Sequence, residues 1–479
     1  MLKKTAVIIF VFIITSLSAV SVNALMPVSS GFILDDGSRV TIPVPFEVEK
    51  IVSSFEGGTY DSLNNPQDLF YDDNGFYFIA DTGNNRVLRL DKDFKVVAEF
   101  TEADGIAFSE PSGVSTDSDG DIYIADTGNA RVVHFTPTGE YAESFVKPES
   151  ELLYDVEFFA PSKVEFDPIS QNLYVIQGRQ FMRIDALNRF RGYIGDNEVG
   201  FDLWDYFFRK FATEEQKMQT EKRAPDPYTN FCFGEEGRLY AVGLSDNQRI
   251  SIINTVGNNI YPSGDYGETS YNDDGSAVTP IFTDIAVNSS GIIFVSEQNT
   301  GCIYQYDEEG NLLGAFGGKG SGNSQFEIIS SIVINGDDSL VTLDSSLGRI
   351  QVFEATDFMK NVHSAVALYQ SGKYSESYEK WQEVRDKNAG YTLARQKIGE
   401  IEYKNGNYET AADEFYKGDD RESYGEAFSK IRYLFFKEHF AGVSIAILVL
   451  IVLVVLLIRL GRGYIARMRK RLWYSGGEQ

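Results

Sequence analysis

The sequence predicts a mainly β protein: a six-bladed β-propeller, then a small helical domain and one transmembrane helix. Three observations carry that prediction. A nine-residue phrase is written twice, IADTGNNRV at Ile79–Val87 and IADTGNARV at Ile124–Val132, differing only where Asn85 gives way to Ala130. Hairpin-like segments recur as far as Phe353, each a β-rich run, a polar turn holding Gly, Asn or Asp, and a second β-rich run. After Thr356 this rhythm stops and a helical pattern repeating every 34 residues begins.

The ends come first. Lys3 and Lys4 precede an apolar run from Ala6 to Val20 and a small-x-Ala cleavage site after Ala24, the layout of a secretory signal peptide over 1–24. Phe440–Ile458 carries no charge over the length that crosses a bilayer, and the competing reading is a buried core helix. Beyond it Arg459, Arg462, Arg467, Arg469, Lys470 and Arg471 face the single acid Glu478, which predicts a cytoplasmic tail over 459–479. The expected topology is a single-pass plasma-membrane protein with its N-terminal ectodomain outside.

The net charge of −27 falls on the part between these basic ends. Such a surface repels nucleic acid and anionic lipid, which excludes both as partners of the ectodomain. Only two cysteines occur, Cys232 and Cys302, too few for a disulfide framework; they either pair or serve as small buried residues.

Six hairpins share the frame of the repeated phrase, the others beginning near Leu173, Leu239, Ile292 and Leu340. Most follow another strand, as in PQDLFYDDNG, PSGVSTDSDG, PSKVEFDP and FTDIAVNSSG. A fourth strand ends at Phe100, Phe145 and Phe316, and an equivalent one ends at Phe55, before the first hairpin. The last hairpin has no such strand after it, so the N-terminal strand is expected to complete the last sheet and close a ring over 25–356.

PQDLFYDDNGFYFIADTGNNRVLRLD and PSGVSTDSDGDIYIADTGNARVVHF resemble NHL repeats, whose pattern is a Pro-led strand, Asp-x-x-Gly, a strand ending in Ala-Asp, and Thr-x-Asn-x-Arg-Val. The resemblance implies a fold more than an activity. In the repeated turn, Asp81 and Thr82 are suited to bond nearby amides, Gly83 and Asn84 to adopt positive φ, and Arg86 and Arg131 to pair with Asp81 and Asp126.

Between the third and fourth blades, residues 196–227 place Phe201, Trp204, Phe207, Phe208 and Phe211 at helical spacing. The expected helical insertion either walls a recognition face or packs on the propeller. After Thr356, LYQSGKYSESYEKW and EYKNGNYETAADEF align Gly372 with Gly406, Tyr374 with Tyr408, Ser377 with Ala411 and Trp381 with Phe415. They resemble tetratricopeptide repeats, which implies a protein-docking helical domain over 357–439, capped by a helix from about Glu422 to His439.

The catalytic alternative is a gluconolactonase-like, divalent-metal-dependent lactonase, because those six-bladed propellers hold a cation such as calcium through Glu, Asn and Asp. No short motif here marks such a set. Zinc chemistry of the kind used by NHL-like lyases lacks ligands, since His134, His363 and His439 are the only histidines and one lies in the propeller. No G-x-S-x-G elbow, P-loop or dinucleotide fingerprint occurs. No catalytic residue and no cofactor are therefore expected.

The reading that follows is a membrane-anchored extracytoplasmic binding or scaffolding protein. Its candidate ligand-facing residues are Asn84, Asn85, Asn129, Arg179, Asn247, Gln298 and Asn299 in the turns, with Trp204 and Phe208 from the insertion. These groups suit carbohydrate or peptide ligands equally. By resemblance to exported bacterial proteins combining such blades with helical repeats and one span, a carbohydrate transport system is an expected protein partner.

Overall fold

The computed structural model describes residues 31–33, 39–150, 153, 158–167, 169–178, 180–194, 228–234, 237–244, 249–271 and 276–475. The expected signal peptide over 1–24 and the whole of the expected 196–227 insertion, with Trp204 and Phe208, lie outside them, as do Arg179 and Asn247.

Blade one comprises Asp68–Tyr71, Tyr77–Asp81, Arg86–Leu90 and Val96–Phe100; blade two comprises Pro111–Thr116, Ile122–Asp126, Arg131–Phe135 and Tyr141–Phe145. Blade three runs over Pro161–Asp167, Asn172–Gln177, Gln180–Asp185 and Phe190–Tyr193. Blade five runs over Phe282–Val287, Ile293–Glu297, Cys302–Tyr306 and Leu312–Gly317. Blade four has three described strands, Tyr228–Phe233, Leu239–Gly243 and Ile250–Ile253, and in place of a fourth a lone bridge joins Ile253 to Asn259.

Blade six closes the ring. Ile329–Ile334, Leu340–Asp344 and Arg349–Ala355 are joined by the N-terminal strand Phe46–Val52, antiparallel, with Ile350 opposite Val52 and Ala355 opposite Phe46. The expected exchange between the two ends of the propeller is present.

Blades are covered on both faces, so in five of them the second strand is buried throughout rather than alternating. Tyr77–Asp81, Ile122–Asp126, Leu239–Gly243, Ile293–Glu297 and Leu340–Asp344 are buried at every position. The core lies between neighbouring blades: Phe78, Val87, Phe100, Val114, Ile124 and Val133 join blades one and two. Phe55, Leu69, Leu88, Leu343 and Ile350 join blades one and six.

The repeated phrase builds a repeated joint. Thr82–Asn84 and Thr127–Asn129 each form a single 3-10 turn ending in a left-handed residue, Asn85 (φ 52°) and Ala130 (φ 56°). Positive φ thus falls one residue later than expected. Gly83 and Gly128 are needed for closeness instead: their amides donate to Asn64 O and Ser109 O, both at 2.8 Å, and a Cβ on Gly83 would lie 2.6 Å from Asn64 O.

Six helices follow: α1 (Asp357–Gln370), α2 (Tyr374–Lys387), α3 (Thr392–Lys404), α4 (Tyr408–Lys417), α5 (Arg421–Glu438) and α6 (Phe440–Ser475). The compact units divide at Tyr391/Thr392 rather than at 356/357. The reason is that α1 and the connection after α2 are bonded to the propeller: His363 Nε2 meets Gln305 Oε1 at 2.8 Å, and the Tyr391 hydroxyl donates to Leu313 O at 2.8 Å. The second unit holds α3 to α6. By length and composition α6 is able to cross a membrane.

The two cysteines stand on blades four and five and are not joined in a disulfide.

Candidate functional site

The first strand of every blade pairs on one side only, so its free edge faces the ring centre. The strand registers set six residues at one equivalent position there: Asp68, Gly113, Lys163, Asn230, Asp284 and Ser331, opposite Ala80, Ala125, Ile176, Val242, Ser296 and Leu343. In five blades a bulge just before this position aims the side chain.

These groups join into one network across the centre. Lys163 Nζ reaches from blade three past blade two to Asp68 Oδ1 on blade one, at 2.7 Å, with Glu165 Oε1 at 3.9 Å. Ser331 Oγ donates to Asp284 Oδ2 at 2.7 Å and lies 3.4 Å from Asp68 Oδ1. Glycine at position 113 lets the inner strand of blade three approach that of blade two closely; a Cβ there would lie 2.9 Å from both Lys163 Cα and Ser162 O.

The carboxylates have a second task. An inner strand exposes amides that a sheet cannot pair, and leaving them buried without partners is costly. Asp68 Oδ2 accepts from Val114 N at 2.9 Å, Asp284 Oδ2 from Ile332 N at 2.7 Å, and Glu165 Oε2 from Phe233 N at 3.1 Å. Each carboxylate satisfies the next blade's free edge.

Burial dominates the electrostatics. It pushes Glu165 up to about 8, against the pull of the Lys163 ammonium, and Asp284 up to about 6. For Lys163 burial opposes the charge, but Asp68, Glu165 and Asp284 outweigh it and hold the ammonium protonated more firmly than usual. The Cys232 thiol is pushed up by burial and by the same carboxylates, so it is a poor nucleophile.

The lactonase resemblance implies a divalent cation in this channel, and the residues do not fit one. A cation is already present among the converging carboxylates: the Lys163 ammonium donates to Asp68 Oδ1 at 2.7 Å and lies 3.9 Å from Glu165 Oε1. Among the described residues no three His, Cys, Asp or Glu side chains are grouped to hold a metal. The histidines lie apart: His134 stacks on Tyr123 at the edge of blade two, His363 is on α1 and His439 follows α5.

The turn residues expected to face a ligand are largely engaged in the fold. Asn84 Nδ2 donates to Ser62 O and Asp81 Oδ2 at 3.1 and 2.8 Å, and Asn129 Nδ2 to Ala107 O and Asp126 Oδ2 at 2.8 and 2.9 Å. Asn85 Oδ1 accepts from Glu110 N at 2.8 Å, tying blade one to the approach to blade two. Asn299 Nδ2 donates to Thr279 O at 3.0 Å, while Gln298 is exposed. Arg86 and Arg131 pair with Asp81 and Asp126 at 2.7 and 2.8 Å, as the spacing implies.

Sequence reasoning expected Asp81 to bond a nearby amide, which it does, but missed that the same bond recurs around the ring. In five blades the residue ending the second strand accepts the backbone N–H of the incoming connection: Asp81 from Asn64, Asp126 from Ser109, Gln177 from Ala160, Glu297 from Ile281 and Asp344 from Glu327, at 2.6–3.0 Å. It also missed Asp68, Lys163 and Asp284. Their signal is present once the blades are aligned, since each falls two residues after the residue that leads the inner strand.

A separate polar cleft of about 610 Å³ lies between α1 and blades five and six, with Asp337, Asp338 and Glu354 facing Lys360 and Lys373 across a floor that includes His363.

The NHL repeat family matches residues 108–135, which cover the approach to blade two and its first three strands. No curated protein matches the chain. Among solved structures, a streptogramin B lyase is 10% identical, covering 65% of this chain and 98% of its own, with a TM-score of 0.40. Selenomethionine-substituted virginiamycin B lyase from Staphylococcus aureus is 14% identical over 68% and 88%, with a TM-score of 0.38. A catalytically inactive form of that lyase with quinupristin is 13% identical over 67% and 86%, also at 0.38. The chain is thus a six-bladed β-propeller carrying an NHL repeat, followed by a helical C-terminal region with one long apolar helix.

Proposed function

We propose that this chain is a membrane-attached binding and scaffolding protein that docks a protein partner outside the cytoplasm, not an enzyme. The observation that supports it is the helical repeat. α1–α2 and α3–α4 are hairpins offset by 34 residues whose turns superpose in detail. Tyr369 meets Tyr374 edge-on at 5.2 Å, and Tyr403 meets Tyr408 at 5.2 Å. Gly372 (φ 76°) and Gly406 (φ 84°) each donate to the carbonyl three residues back at 3.0 Å. Ser377 and Ala411 allow close approach while Trp381 and Phe415 fill the interior, all four buried.

The repeated hairpin supports reading these helices as tetratricopeptide-like, a construction whose use is protein docking. The channel supports the same reading, because its charged groups are committed to one another and to the free strand edges. The signal-peptide layout, the apolar α6 and the basic tail favour an external ectodomain held by one span. An exported or membrane protein is the partner class, with a carbohydrate transport system the first candidate; carbohydrate itself is a second ligand class.

The test is crosslinking on intact cells, recovery through a C-terminal tag and mass spectrometry. Reproducible recovery of a defined membrane partner, abolished by deleting Gly372–Phe415 while the propeller still folds, is the expected result. A partner set unchanged by that deletion refutes docking by the helices, and turnover of a lactone by the purified chain refutes the non-enzymatic reading.

A further inference from the structure

We propose that the end of α6 binds anionic phospholipid headgroups, lying along the membrane surface with one side in the acyl boundary. This rests on the membrane attachment argued above. α6 is 36 residues long, about 54 Å of helix, whereas a bilayer's hydrocarbon core takes up about 30 Å. The uncharged run ends at Ile458, so nearly half of the helix emerges from the core.

That emergent part has two unlike sides. At about 100° per residue, Leu457, Leu460, Tyr464, Ile465 and Met468 fall within an arc of about 140°, and Arg459, Arg462, Arg467 and Arg469 occupy the remainder. Leu460 is 70% exposed and Tyr464 66%, so nothing among the described residues covers the apolar side.

Two occupants compete for it. A second copy would pair through a seam at heptad spacing, and the seam through Leu457, Leu460 and Tyr464 meets Arg467 next, bringing like charges together. An anionic bilayer suits both sides at once: the arginines reach headgroup phosphates while the apolar arc continues the apolar surface of the span. Gly461 and Gly463, with nothing within 4 Å of a Cβ at either, mark where the helix can bend from crossing to lying flat.

The test uses the full chain in nanodiscs of phosphatidylcholine alone or with phosphatidylglycerol, read by hydrogen exchange over 460–475. Exchange is expected to slow about tenfold in the anionic discs, to recover in 0.5 M salt, and to recover in an R462Q/R467Q/R469Q variant. Equal exchange in both lipids, with the chain embedded, overturns the inference. So does protection that ignores lipid charge and grows with two chains per disc, which assigns the apolar side to a second copy. Failure of the chain to enter the discs removes the membrane reading beneath it, a distinct outcome.

Discussion

Replacing Lys163 by Met keeps the length of the side chain and removes its ammonium from the channel. Lys163 is 6% exposed and Asp68 1%, so water does not replace the lost partner. Removing one member of a buried ion pair costs about 3–5 kcal/mol, since the other charge stays buried. Over a unit of this size that lowers Tm by roughly 4–6 °C. The pH dependence separates charge from packing. Glu165 has its folded value raised to about 8 from an ordinary 4.5, so its contribution favours folding below pH 4.5 and is lost as pH rises through 8. Without the ammonium, Glu165 and Asp284 are harder still to ionise. The deficit of Lys163→Met is therefore largest at pH 8 and above and shrinks at pH 5, where the carboxyls take up protons. Differential scanning fluorimetry of the detergent-solubilised chain at pH 5, 7 and 8.5 measures it. A Tm within 1 °C of wild type at pH 8.5, or a deficit equal at all three values, would refute the account of the network.

Other outcomes follow from single positions. Gly113→Ala puts a Cβ 2.9 Å from the backbone at Lys163 and Ser162; a loss of about 1–3 kcal/mol by urea titration is expected, against no loss if the site has slack. Ala130 holds a left-handed conformation that costs a non-glycine residue about 1–2 kcal/mol. Ala130→Asn, which copies Asn85 of the first phrase, should raise stability by about 0.5–1 kcal/mol, and an unchanged or lower Tm would show that the turn is unstrained. Burial lowers His363 to about 4 from 6.5, so its contribution holds above pH 6.5 and is lost as pH falls through 4. Hydrogen exchange in α1, corrected for intrinsic rate, should rise over that interval, and a His363→Gln variant should not show the rise.

The blades were legible because their faces are covered on both sides, which forces the same apolar runs and the same turn acids at regular spacing. Even the ring closure could be read, from a strand too many before Asp68 and one too few after Phe353. The network at the channel was not, because its members come from blades one, three, five and six and meet only through ring geometry. Asp68 and Lys163 are 95 residues apart and no local pattern links them. Nor was it legible that the turn amides of Asn84 and Asn129 donate to backbone carbonyls of their own blades' approaches. The attachment of α1 and of the connection after α2 to the propeller was also hidden, since a helical repeat announces its period but not its neighbour.

The pairing of Phe46–Val52 with Arg349–Ala355 has a consequence for how the molecule is made. The N-terminal strand emerges from synthesis first and its partner emerges only after every blade between them, so the closing contacts have the greatest loop to bridge. Until then both ends of the incomplete circle offer unpaired edges to any strand nearby, including those of other nascent chains. Maturation thus has a single completing event, and a chain truncated at either end of the propeller is left open rather than merely shortened. Because Thr356 N also donates to Pro45 O at 3.0 Å, that event brings together the start of the first helix and the residue just before the closing strand.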